Sequence, residues 1–223
     1  RVTDAEELVR LWEETRRLGL NILIQEEIPG DASFLYSLGV CCSNDSEILA
    51  AFTGRKLRQI PPDFGTCTLA EGCHAPELIE YGRKYLKEIR FRGIAELEFK
   101  KDPGDGRFKF LEINPRAWTW ISLATACGVD LPHIAYLDLT GQKVHTPCQA
   151  DCAVKWVDLG KDILCYLKYG RGNRFTKKIP FREWLGSLRG PKRDIYFDGS
   201  DPLPGFSWRA VLFSSSPSLP LPL

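Results

Sequence analysis

The stretch Gly93-Ile94-Ala95-Glu96-Leu97-Glu98-Phe99-Lys100, followed by Phe108-Lys109-Phe110-Leu111-Glu112-Ile113-Asn114-Pro115-Arg116, decides how the rest of the chain is read. Polar and apolar residues alternate along both segments, and Asp102-Pro103-Gly104-Asp105-Gly106 between them is turn chemistry, so the pattern predicts a β-hairpin. Strand side chains alternate faces, which puts Ala95, Leu97 and Phe99 on one face and Glu96 and Glu98 on the other. In the second segment Leu111 and Ile113 oppose Glu112 and Asn114. Folding the hairpin symmetrically about Asp105 sets Glu98 opposite Glu112.

Two like charges directly opposite destabilise an antiparallel pair unless water or a cation lies between them. Asn114 adds a neutral oxygen on the same face, and a hard divalent ion that binds nucleotide phosphates takes one or two carboxylates, some waters and phosphate oxygens. Magnesium fits that donor set better than zinc. A pair of ordinary solvated acids is the plain alternative. Against it, Phe108 and Phe110 are expected on the face of Glu112, Trp118 and Trp120 follow, and Pro115-Arg116 interrupts the strand directly after the amide.

The segments Gly93-Ile94-Ala95-Glu96-Leu97-Glu98-Phe99 and Phe110-Leu111-Glu112-Ile113-Asn114-Pro115-Arg116 resemble the metal-binding hairpin of ATP-grasp enzymes. The resemblance implies Glu98, Glu112 and Asn114 as ligands of the magnesium ions (or manganese) on ATP, and Arg116 as a contact for the anionic substrate. It implies an α+β fold with a mostly antiparallel sheet flanked by helices. It also implies an ATP-dependent ligase that joins a small carboxylate to an amine or similar nucleophile through an acyl phosphate. The rival readings are a catalytically silent nucleotide-binding fragment and a kinase of carboxylate or carbamate resembling half of a carbamoyl-phosphate synthase. One departure stands out: some ligases of the family carry an arginine where Glu96 stands here.

Working upstream, Ile24-Gln25-Glu26-Glu27-Ile28-Pro29-Gly30 resembles the hinge strand that lines the adenine site of the same family, which makes Gln25, Glu26, Glu27 and Ile28 nucleotide contacts and Asp31 a candidate for the ribose. Read on its own, Leu20 to Gln25 is a short apolar strand and Ile28-Pro29-Gly30-Asp31 a turn. Gly54-Arg55-Lys56-Leu57-Arg58-Gln59 leads to two prolines and reads as a basic loop in which Lys56 or Arg58 could meet the transferred phosphoryl group, with Pro61 to Thr66 as its cover. Strands are predicted over 33–40, 47–53 and 66–71. Helices are predicted from a capping box at Thr3 and Glu6 to Gly19, from Pro76 to about Ile89, after Pro115 to Gly128, from Asp130 to Gly141, and over 161–169 and 181–188.

Three parts are expected: 1–145 as the ATP-binding domain, 146–213 as a small C-terminal extension, and 214–223, a serine, proline and leucine tail, as disordered. The basic run from Lys168 to Arg193 reads as a solvated face and not as a nucleic-acid module. Thirty basic against 29 acidic residues give the chain no net field toward nucleic acid or an anionic membrane. No apolar run is long enough to span a bilayer and no signal segment opens the chain, so a cytoplasmic location and reduced thiols at all eight cysteines are expected. There is no methionine, and the resemblance begins inside the family's lid, so a fragment, N-terminally truncated, is expected.

Overall fold

In a computed structural model the chain is described over residues 2–62, 64–150, 154–172, 178–197, 200 and 202–204. Seven strands form one sheet: β1 (Leu35–Cys42), β2 (Ile48–Ile60), β3 (Thr66–Gly72), β4 (Gly93–Lys101), β5 (Phe108–Asn114), β6 (Lys155–Val157) and β7 (Lys192–Asp194). Their order is β5-β4-β1-β2-β3-β6-β7, and every pairing is antiparallel except β6 with β7. β1 is an interior strand, and Ser37 to Cys42 are all buried because both faces of the sheet are covered.

Alternation along the strands separates the two faces. Leu38 and Val40 of β1 and Leu97 and Phe99 of β4 pack against Leu78 and Leu86 of helix α2 (Pro76–Glu88). The opposite face gathers Cys41, Phe52 and Ala70 under Trp118, Trp120, Leu123 of α3 (Ser122–Ala126), and Leu131 and Ile134 of α4 (Leu131–Leu139). α2 starts with proline in its first turn, where no backbone donor is lost. α4 is capped by Asp130, which accepts from His133 N–H, and α5 (Leu159–Tyr169) by Asp158, which accepts from Lys161 N–H. A short helix, α6 (Phe181–Ser187), stacks Phe181 and Trp184 against Tyr166 of α5.

Several expectations need correction. The first helix, α1 (Ala5–Arg17), is capped one residue later than predicted: Asp4 accepts from Glu7 N–H, and Glu7 reaches back to Thr3 N–H. Residues 20–29 contain no regular secondary structure and pair with no strand among the described residues, so the strand predicted at Leu20 to Gln25 is not formed. Leu20, Leu23 and Ile24 are exposed. The basic stretch at Gly54 is not a loop, because β2 runs on to Ile60 and each cation there finds an acid elsewhere in the sheet or on a helix. The thiols are not all reduced either: Cys127 is disulfide-bonded, while Cys41, Cys42, Cys67, Cys73, Cys148 and Cys165 are free. Cys152 and the tail at 214–223 lie outside the described residues.

Beyond residue 145, β6 and β7 continue the same sheet on the far side of β3. Arg58 of β2 ties them in. Its guanidinium grips Asp162 of α5 through Nε and Nη2, each at 2.8 Å, and donates to Ser187 Oγ at 2.6 Å. Asp162 has no exposed surface and also accepts from Thr68 Oγ1 and from the Trp184 indole. All the charge in this cluster is therefore met by hydrogen bonds, the condition for burying it.

Candidate functional site

β4 and β5 form the hairpin, with Glu98 paired to Glu112 and Glu96 to Asn114. The register slips by one residue between Glu98 and Phe99, because Phe99 pairs with Phe110 and leaves Leu111 as the extra residue of a β-bulge. The bulge corrects the expected position of the phenylalanines. Phe110 packs on Phe99 and on Tyr85 of α2, and Phe108 packs on Tyr36, so both rings belong to the α2 side and not to the face of Glu112. Trp118 and Trp120 do lie on the side of the acids. Their rings stack against the glycines of the neighbouring strands: a Cβ at Gly39 would run into the Trp118 ring, and one at Gly54 would come within 2.9 Å of Trp120 Cζ3.

The acids are held by near neighbours. Lys56 of β2 reaches across β1 to donate to Glu98 Oε2 at 2.8 Å, and both side chains are largely buried. Burial works against the Lys56 charge, but Glu98, by charge and hydrogen bond, and Glu96, by charge, outweigh it and raise the ammonium above its ordinary pKa. Ser37 Oγ donates to Glu96 Oε1 at 2.8 Å. Burial, reinforced by the charge of Glu98, pushes the Glu96 carboxyl up to about 7, against the opposing influence of Ser37, Lys56 and Arg116. On β5, Asn114 Nδ2 donates to Glu112 Oε1 at 3.1 Å and Arg116 Nη2 to Asn114 Oδ1 at 3.3 Å, so Arg116 stands at the open end of the row.

Glu98, Glu112, Asn114, Arg116 and Lys56 are thus brought to one region. Arg58 is not, since its guanidinium is taken by Asp162. Of the proposed nucleotide contacts, Gln25, Glu26 and Glu27 are exposed and Ile28 is half-buried. Glu26 lies near enough to Lys109 of β5 to favour its charged form. Asp31 caps the 3-10 turn Ala32–Phe34, accepting from Ser33 N–H at 2.9 Å and from Ser33 Oγ at 2.6 Å. Neither Glu96 nor Ser37 is among the site residues that the sequence predicts, although Glu96 stands where some ligases carry an arginine. For Glu96 the signal was present, as it shares the face of Glu98; a lone serine in an apolar strand carries none.

Among the described residues no three of His, Cys, Asp and Glu are gathered so as to hold a metal by themselves. Two carboxylates and an amide oxygen on one face fit a hard ion that keeps water and phosphate oxygens in its shell, and they do not fit a closed protein cage. No described helix is long and apolar enough to cross a membrane.

A family model described as ATP-grasp in the biosynthetic pathway with Ter operon matches residues 32–159. A D-aspartate ligase of Enterococcus faecium (strain Aus0004) is 26% identical over 163 residues, which is 70% of this chain and 38% of the ligase. Among solved structures, the biotin carboxylase domain of Hydrogenobacter thermophilus 2-oxoglutarate carboxylase, in complex with MgADP, ADP and bicarbonate, is 20% identical with a TM-score of 0.49, covering 63% of this chain and 33% of that one. The phosphoribosylaminoimidazole carboxylase ATPase subunit of Aquifex aeolicus is 12% identical with a TM-score of 0.45, covering 62% and 48%.

Proposed function

The chain belongs to the ATP-grasp family, whose model spans more than half of it, and from that premise we propose that it is the Mg-ATP-binding part of a ligase joining a small carboxylate to an amine or similar nucleophile. The observation that carries the reading is the pairing of Glu98 with Glu112, with Asn114 two residues beyond on the same face. The likeness to a D-aspartate ligase supports an amino acid among the substrates, although the chain spans only 38% of that enzyme's length.

In this reading Glu98, Glu112 and Asn114 hold magnesium, or manganese, which when bound offsets charge on the ATP phosphates. The remaining work falls to the chain's own groups. Lys56 supplies a buried positive charge next to the phosphates, where exclusion of water makes a charge most effective. Arg116, at the open end of the row, binds the substrate carboxylate whose oxygen attacks the terminal phosphorus of ATP. ADP leaves, and the nucleophile then displaces phosphate from the acyl carbon. Trp118 and Trp120 close the floor under the acids against water. Residues 25–28 are the proposed base contacts, with Glu26 near Lys109 of the hairpin and Asp31 beyond them. Arg58 serves this site by fixing β2 to α5, one residue pair from Lys56.

Calorimetry with ATP and magnesium tests the reading. Glu112→Ala is expected to weaken binding by roughly tenfold or more, in line with the loss of a charged ligand contact. Unchanged affinity would overturn the ligand set.

A further inference from the structure

The acid face is over-supplied with negative charge. Glu98 already has an ion-pair partner in Lys56, yet a second carboxylate, Glu96, sits two residues away on the same face of β4 and is 3% exposed. Its Oε1 accepts from Ser37 Oγ, while the Lys56 ammonium donates to Glu98 Oε2. Burying an acid is costly unless it is hydrogen-bonded or paired. A fold that needed only to neutralise Lys56 would do better without Glu96.

The excess becomes intelligible when the site is loaded. If Glu98 held a divalent cation, the carboxylate that now pairs with Lys56 would be engaged and two positive charges would stand beside a buried ammonium. Lys56 is 8% exposed at its side chain and cannot turn to bulk water. Residues two apart on a strand lie about 7 Å apart, a distance the flexible lysine stem can cover. We propose that Glu96 is a positioning residue that takes over the Lys56 ammonium when a divalent cation occupies Glu98. Lys56 thereby stays charged and is held beside the phosphates without competing for the metal ligand. The proposal rests on the assignment of Glu98 as a metal ligand.

The test is Mn2+ binding in the presence of ADP, followed by electron paramagnetic resonance, in a double-mutant cycle. Glu98→Gln is the control for the underlying assignment: if Mn2+ binds as before, the metal reading fails and Glu96 loses its role with it. If the control behaves as a ligand should, Glu96→Gln is expected to weaken Mn2+ about tenfold when Lys56 is present, a size typical of coupled neighbours. In a Lys56→Gln background the same change is expected to have little effect, because no ammonium is left to rehouse. An equal loss in both backgrounds would make Glu96 a ligand or a general field and overturn the proposal. A loss of urea stability with Mn2+ affinity intact would overturn it as well, leaving Glu96 a structural group. Should Glu96→Gln not fold, the cycle is run with Glu96→Asp, whose shorter reach is expected to weaken Mn2+ only when Lys56 is present.

Discussion

At the scale of single residues, Glu96 links stability to pH in the range just below neutrality. Its carboxyl titrates near pH 7 in the folded chain and near the ordinary 4.5 when unfolded. Between those values the folded state binds more protons than the unfolded one, so this group's contribution to stability falls as pH rises from about 4.5 through about 7, then levels off. Urea midpoints measured across pH 5 to 8 are expected to decline in the native sequence and to flatten in Glu96→Gln, with a total effect on the order of a few kcal/mol. Equal slopes in the two proteins would show that Glu96 ionises normally. The facing of Glu96 toward Glu98 was legible in the sequence because strand alternation has a strict period of two. Its burial was not, since its neighbours Ser37 and Lys56 lie on other strands.

At the scale of elements, the hairpin was readable and β2 only half so. Turn chemistry and alternation are local, so the pairing of Glu98 with Glu112 followed from counting. The bulge at Leu111 left no such trace: one extra residue changes which rings share a face without altering composition. β2 failed for a different reason. Arg55, Lys56 and Arg58 resemble a solvated basic loop until their partners are known, and those partners, Glu71, Glu98 and Asp162, lie 16, 42 and 104 positions away. The last of these pairs clamps β2 to α5 and α6. Asp162→Ala is expected to cost about 3–5 kcal/mol in urea denaturation, because it strands a buried guanidinium, and adding Arg58→Leu is expected to recover part of that loss. A cost below about 1 kcal/mol would mean that the clamp is not what holds these elements together.

At the scale of the whole molecule, stability is concentrated in the sheet and the layers on its faces. α1 buries none of its residues, and its capping and charged first and last turns explain why it is helical without explaining any contribution to the core. Removing residues 1–19 is therefore expected to shift unfolding free energy by no more than about 0.5 kcal/mol, measured by urea denaturation; a larger loss would mean that α1 holds the sheet by contacts outside the core. The centre of the sheet behaves differently. Ser37 is paired to Gly54 on one side and to Glu98 on the other, and Lys56 must cross β1 in this neighbourhood to reach its acid. The strand it crosses presents there Ser37, a small uncharged residue that is paired to Glu98 and donates to Glu96. A bulky substitution at Ser37 would crowd the charge pairing while leaving every charged group in place, so the site's inherited tolerance to change is narrowest where an inventory of its chemistry would not look.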